Sequence, residues 1–368
     1  MHRYFTFRIG FQLGLIGLLF GLLNVSAVHA QLFPDLGGQR AGISALTFLK
    51  IDVSPRGAAL GGAQVALPGD AYALQWNPAA ITDLPGTSVG LAHNFWIAGI
   101  NHSYFSAAHN FGNAGTVGLT ATALTSGAIE KRTETQPNGT GENVYAYYVA
   151  TGLSYARFLT DKFSFGVTVK YVNETLDSYV AHTAVVDVGF LYRVDWRDLN
   201  FAVMLQSFGP NSSLNGDALF SPDGQEIDLN SDPAPTVFSM GLGLMALDME
   251  DHGIRTLVQL NHPNDNAENV RLGVEYDFRE MFFARGGYKI NVEDQPYPTF
   301  GAGIRARLGR HPLMIDYAVD PLPTLGWRQR VGLSLNLLPY EERGSEAERR
   351  APRQKRKRLQ EEQEDVFE

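Results

Sequence analysis

Few residues in this chain combine the types and spacing that chemistry requires. Nine histidines are scattered along it. His93, His102 and His109 fall in its first two alternating stretches, where a lone imidazole is more often a wall residue than a ligand. No His-Glu-x-x-His pair is present to hold zinc, and no phosphate-binding loop. Gly86-Thr87-Ser88-Val89-Gly90 matches the Gly-x-Ser-x-Gly pattern, in which a strained strand-to-helix turn presents the serine. Here the serine opens a strand after Pro85, so that elbow is not formed. Asn211–Asp217 and Asp223-Gly224 offer oxygen ligands of the kind calcium takes, but ordinary polar loops have the same composition. The sequence therefore predicts a protein that is not an enzyme and that carries no cofactor and no metal.

The charged residues that do cluster lie late in the chain, and they alternate. Val270–Arg279 sets Leu272, Val274, Tyr276 and Phe278 against Arg271, Glu275 and Asp277. Pro298–Leu308 sets Phe300, Ile304 and Leu308 against Thr299, Arg305 and Arg307. Arg328–Leu337 sets Val331, Leu333, Leu335 and Leu337 against Arg328, Arg330, Gly332, Ser334 and Asn336. The same period-two pattern fills Lys162–Asn173, with Phe163, Phe165, Val167, Val169 and Tyr171 on one face. Alternation alone also suits a soluble sandwich. Many segments here run 10–14 residues, however, which matches the ~9–11 needed to cross a bilayer at a tilt and exceeds ordinary strands. We count about fourteen strands, near 86–97, 99–111, 113–124, 142–158, 162–174, 180–194, 198–208, 236–247, 253–262, 268–279, 280–290, 297–308, 311–320 and 327–338.

The even-numbered connections are short and the odd ones mostly longer, which is the pattern of an outer-membrane barrel. Only the first, near Ala98, is too short for that alternation. An even strand count puts both termini on the short-turn side, the periplasm. Charge on the lipid face costs ~2–4 kcal/mol per Arg or Lys at mid-membrane, so the charged face belongs in the lumen. Arg271, Glu275, Asp277, Arg285, Lys289, Arg305, Arg307, Asp316, Arg328 and Arg330 either pair with one another and with whatever fills the lumen, or line a substrate path.

Residues 1–30 read as a signal peptide. His2, Arg3 and Arg8 give a basic start, Phe11 to Val25 an apolar core, and Val28-His29-Ala30 a small-residue cleavage site before Gln31. The apolar core is shorter than the ~20 residues of a spanning anchor. The chain holds no cysteine, which excludes disulfides and thiolate metal sites and suits an exported protein. Its formal net charge of −9 argues against a nucleic-acid partner. Between the signal and the barrel, residues 31–85 read as an N-terminal plug. Phe48 to Leu84 is too rich in Gly and Ala, and too broken by Pro55, Pro68 and Pro78, for a long helix or a ladder strand. Gly61 and Gly62 permit close packing or a tight turn. Trp76-Asn77-Pro78 closes the segment, and Arg56 and Asp70 are the charges expected to meet the wall. The barrel spans 86–340. Residues 341–368 form a charged tail, with seven basic residues in Arg349–Arg358 and acidic residues after it, a composition that favours disorder.

The ordered combination Phe48-Leu49-Lys50, Ser54-Pro55-Arg56-Gly57-Ala58-Ala59, Leu60-Gly61-Gly62-Ala63, Asp70-Ala71 and Trp76-Asn77-Pro78-Ala79 resembles the PorV/PorQ family of FadL-like outer-membrane barrels. Gly152–Ala156, Lys170-Tyr171, Asp187-Val188-Gly189 and Ser207-Phe208-Gly209-Pro210 resemble later family strands. The charged tail and Leu337-Leu338, in place of a last-strand aromatic, depart from the pattern. The resemblance implies a fourteen-stranded barrel with an N-terminal plug, set in outer-membrane lipid and working in type IX secretion. PorV-type members take up cargo with a C-terminal sorting domain and pass it from the translocon to the attachment complex. PorQ-type members hold a partner protein at the surface. The alternative is a FadL-like transporter of hydrophobic small molecules, with a groove around Phe208, Phe220 and Pro233–Val237.

Overall fold

A computed structural model of the chain describes residues 42–216, 219–220, 226–227, 231–293 and 295–337. The expected signal peptide, the tail and Asp223-Gly224 lie outside the described residues. Fourteen antiparallel strands close into one barrel. In chain order they are β1 (Thr87–Phe95), β2 (Asn101–Asn110), β3 (Thr116–Thr125), β4 (Ala146–Phe158), β5 (Phe163–Leu176), β6 (Tyr179–Val194) and β7 (Leu199–Phe208). After a long connection come β8 (Val237–Asp248), β9 (His252–Pro263), β10 (Asn269–Phe278), β11 (Phe282–Ile290), β12 (Thr299–Leu308), β13 (His311–Leu322) and β14 (Gly326–Leu337). Each strand pairs with its sequence neighbours. The ring closes where β1 meets β14, from Thr87 opposite Leu337 to Phe95 opposite Gln329. Closure leaves no edge, so every strand finds its backbone partners within the wall, as a bilayer demands.

The alternation read from the sequence sets the two faces of that wall. On β5, Ser164, Gly166, Thr168 and Lys170 are buried, whereas Val169 and Tyr171 are more than half exposed on the outer face. Exposed aromatics form two rims. Phe95, Tyr147, Tyr171, Phe208 and Trp327 lie towards one end, and Phe111, Tyr155, Tyr192, Trp196 and Phe282 towards the other. An apolar outer band between aromatic girdles is the lipid-facing surface of an outer-membrane barrel.

The even connections are all short turns: 111–115, 159–162, 195–198, 249–251, 279–281 and 309–310. The odd side carries the long connections, 126–145, 209–236 and 291–298, but is less uniform than the sequence suggested. Its fifth connection is only Asp177-Ser178. The first, which broke the expected alternation, is a genuine tight turn: Trp96 N–H donates to Ile100 O at 3.1 Å, and Ala98 takes a left-handed φ of 55°. The strand count therefore holds. In the third connection, Ile129–Glu130 pairs with Asn143–Val144 to extend a small hairpin beyond the wall.

Ahead of β1, residues 42–86 fold into short turns rather than one element: a 3₁₀ turn at Thr47–Lys50, helices at Pro55–Ala59 and Ala73–Trp76, and a 3₁₀ turn at Pro78–Asp83. Ser54 caps the first helix by accepting from Gly57 N–H at 3.0 Å, with Pro55 in its first turn, the position where proline's missing N–H costs nothing. Asn77 does the same for the last turn, its Oδ1 accepting from Ala79 N–H at 3.0 Å ahead of Pro78.

Candidate functional site

The segment 42–86 touches strands on every side of the ring, so it lies within the lumen. Fourteen strands enclose more space than wall side chains alone can fill, and glycines in the wall give the segment its seat. A methyl group on Gly287 of β11 would stand 2.0 Å from Gly61 N; on Gly241 of β8, 2.4 Å from Val65 Cγ1; on Gly166 of β5, 2.5 Å from Ala79 N; on Gly118 of β3, 2.5 Å from Leu74 Cδ2; and on Gly332 of β14, 2.8 Å from Pro55 Cγ. Gly241 is therefore a point of close approach. Leu60, Tyr72, Leu74, Ile81 and Leu84 are completely buried between segment and wall. The single Tyr72 hydroxyl proton is shared between Leu91 O and Leu333 O, on either side of the β1–β14 seam.

Gly61 and Gly62 satisfy both readings that the sequence left open. Their φ values of 66° and 79° lie in the left-handed region, as a tight turn requires. They also face the wall: a Cβ on Gly62 would sit 2.3 Å from Arg271 Nη1, and one on Gly61 would sit 2.9 Å from Tyr288 N. Trp76 is buried. Asn77 reaches across, its Nδ2 donating to Val65 O within the segment and to Phe190 O on β6. Pro78 packs at Gly166 and Gly189.

Two ionic clusters join segment and wall. In the first, Arg56 Nε and Nη2 donate to both carboxylate oxygens of Glu275 at 2.9 and 2.7 Å, and Arg56 lies 3.7 Å from Asp70. Arg285 continues the chain, donating to Glu275 at 2.6 Å and to Asp316 at 2.5 Å. In the second, Asp52 meets Lys289 at 3.1 Å and Arg271 at 3.6 Å. Asp320 on β13 meets both Arg328 and Arg330. Burial works against charge on Asp52, but Lys289, Arg271 and Arg330 outweigh it and hold the carboxyl well below the usual range. Further ties between segment and wall are Lys50 with Asp265 at 2.6 Å and Arg193 with Asp83 at 2.5 Å, and within the wall Lys170 pairs with Asp187 at 2.5 Å.

Of the expected lumen charges, Arg271, Glu275, Arg285, Lys289, Asp316, Arg328 and Arg330 enter these clusters directly. Asp277 is buried in the wall. Arg305 pairs instead with Glu280 at 3.3 Å, with its guanidinium over Phe283. Arg307 does not join them. It is exposed near the short-turn end of β12, because the strand runs past the region the segment fills. The sequence reading passed over Asp52 and Asp320. Asp320 was legible, since it continues the inward face that Asp316 begins. Asp52 sits in a segment without period, so nothing in its spacing marked it.

Ser88 and the histidines of the first two strands are tied into the wall. Ser88 is buried and its Oγ accepts from Ala71 N–H at 3.0 Å, tying the segment to β1. His93 and His109 face outward and bond Ser103 and Thr87. His102 faces inward and bonds Asn94 at 2.7 Å. Among the described residues no group of His, Asp and Glu could hold a metal ion. On the outer face, an apolar hollow of about 740 Å³ lies across β13, β14 and β1–β4, lined by Leu91, Phe105, Ala121, Val149, Ile315 and Leu333 among others. The Phe220 side chain of the expected groove lies outside the description, and Phe208 stands on the exposed rim.

Fold and lumen together define a barrel of the outer-membrane type, closed, antiparallel and fourteen-stranded. Residues 36–197 match the family model described as type IX secretion system protein PorV, which bears out the resemblance read from Phe48 to Ala80 and from Gly152 to Gly189. No protein of curated function matches the sequence. Among solved structures, the chain is similar to the toluene transporter TbuX of Ralstonia pickettii, with a TM-score of 0.50 and 13% identity over 78% of this chain and 98% of that one. It is also similar to the toluene transporter TodX of Pseudomonas putida, with a TM-score of 0.50 and 12% identity over 77% of this chain and 96% of the other. A FadL homologue of Pseudomonas aeruginosa aligns at a TM-score of 0.47 and 11% identity over 81% and 99%. At these identities the likeness is one of fold.

Proposed function

We propose that this chain is a non-enzymatic binding barrel of a type IX secretion system, which takes secreted cargo or a surface partner at the long-loop end while residues 42–86 plug the lumen. The observation that carries this reading is the coincidence of two things in one stretch. Residues 36–197, which match the PorV model, include the segment that wedges between wall glycines and pairs Arg56 and Asp52 with the far wall. A lumen filled and ionically tied in this way suits a docking body better than a conduit. In this reading the short-turn end faces the periplasm, with both termini, and the loops 126–145, 209–236 and 291–298 face outward.

Deletion of the gene tests it. Export of proteins bearing type IX sorting domains should stop, and the solubilised barrel should co-purify with a large translocon barrel or with such cargo. Normal export in the deletion strain would overturn the reading.

The outer-face hollow favours a second reading, a FadL-like carrier of hydrophobic small molecules. Under it, the deletion strain would export normally and lose uptake of a hydrophobic probe.

A further inference from the structure

The two ionic clusters differ in balance. Around Arg56, cations and carboxylates alternate: Arg56 and Arg285 meet Asp70, Glu275 and Asp316. Towards the long-loop end they do not. Among the described residues, Arg271 and Lys289 share Asp52, and Arg328 and Arg330 share Asp320. Four cations thus meet two carboxylates. All of these side chains are at most 7% exposed except that of Arg271, at 19%. Buried charge is costly unless an opposite charge and hydrogen bonds compensate it.

Donors without partners among the described residues gather in the same place, beside an acceptor also without one, Asp320 Oδ1, whereas the first cluster has Arg285 Nη2. Nε and Nη1 of Arg330 and Nε of Arg328 are buried and have no hydrogen-bond partner among the described residues. Nor does Nε2 of His102, a fully buried ring on β2 whose Nδ1 faces the Asn94 amide at 2.7 Å. With Nδ1 accepting there, Nε2 carries the proton and is a donor. Trp96, in the β1–β2 turn, lies over both guanidinium groups, with centroid distances of 4.7 and 5.8 Å to Arg328 and Arg330. Trp96 is only half-buried, so its ring reaches from the two guanidinium groups towards the surface, while Gln295 of the 291–298 connection accepts from Lys289 at 2.8 Å.

We propose that the long-loop end of the lumen is a binding site for a carboxylate group, gripped by Arg328 and Arg330 beneath Trp96, with Arg271 and Lys289 supplying the rest of the positive field. Guanidinium groups present N–H donors in a planar fork that matches a carboxylate, and the two arginines already hold the Asp320 carboxylate. The group can come from the acidic end of a polypeptide or from a small organic acid. The inference holds under either functional reading.

The test uses the full chain purified in detergent, with the intrinsic tryptophan signal and calorimetry as readouts. The probes are butyrate, butyramide, a tetrapeptide with a free C-terminal carboxylate and the same peptide amidated. At least one acid should give a saturable change, with its amide weaker by about tenfold or more. Arg330→Gln and Arg328→Gln should each weaken the acid by a similar factor, while Arg305→Gln, in the opposite part of the lumen, should not. Peptide binding without butyrate binding assigns the site to a polypeptide end; the reverse assigns it to a small acid. If one arginine variant fails to assemble, the other carries the test, and Trp96→Ala should abolish the tryptophan change while calorimetry still records binding. Absence of a saturable response to either acid, or amides that bind as well as acids, would overturn the proposal.

Discussion

At the scale of single residues, the lumen rests on close approach and on buried charge. Gly62 meets both demands, since a side chain there is strained by the positive φ and driven into Arg271. Gly62→Leu is expected to displace the inner segment while the barrel still closes. Conductance of the variant in planar bilayers should rise, and secretion or ligand transfer in cells should fail. Unchanged conductance with full function would show that the segment is not a packed plug. The Arg56–Glu275 pair offers a finer measure. Arg56→Gln and Glu275→Gln, singly and together, should give a coupling of about 1.5–3 kcal/mol, the range for hydrogen bonds to charged groups. Hydrogen exchange of the amides in Pro55–Ala59 would report it. A coupling near zero would mean that Arg285 alone satisfies Glu275.

At the scale of elements, the alternating strands make a sharp prediction because their two faces meet different solvents. Val169→Arg should cost about 2–4 kcal/mol of barrel stability, as charge at the lipid face does, whereas the neighbouring Lys170 is already at home on the inner face beside Asp187. Urea unfolding in lipid vesicles measures the difference. The same contrast explains what could be read from the sequence. All fourteen strands were legible, and so were the inward faces of Lys162–Asn173, Val270–Arg279 and Arg328–Leu337, because a wall between lipid and a polar lumen imposes a strict period of two. The site was only partly legible. Arg271, Glu275 and Arg285 lie on periodic strands, and their inward direction followed from the pattern. Their partners Asp52 and Arg56 lie in a segment whose short turns follow caps and prolines rather than a period, so their direction had no local signature. The tight first turn at Ala98 was hidden for a similar reason, since an alanine in a left-handed conformation carries no mark in sequence.

At the scale of the whole molecule, the proposed orientation can be checked directly. An epitope inserted in the hairpin between Ile129 and Val144 should be cleaved by protease added to intact cells, while a tag placed after Glu368 should survive until the cells are opened. The opposite pattern would turn the barrel over. The mature chain should begin near Gln31 and fractionate with the outer membrane. It should also migrate differently on gels before and after heating, as closed barrels do. Recovery of the full-length chain in the inner membrane would contradict this.

The seat of the inner segment also has a kinetic consequence. Arg56 and Glu275 are 219 residues apart in the chain, and the bond from Thr299 Oγ1 to Ala59 O spans 240. The part of the lumen that is made first thus waits for almost the last strands to complete it. Contacts of such long range form slowly, because the loop between them must be closed before they give anything back. Tyr72 bonds carbonyls on both sides of the β1–β14 seam, so the ring is best closed with the segment already inside, acting as a mandrel on which the wall is wound. Assembly should then be order-dependent. A chain lacking residues 42–86 should close late and through mispaired seams, and the missing piece supplied afterwards as a separate peptide should not repair the finished ring.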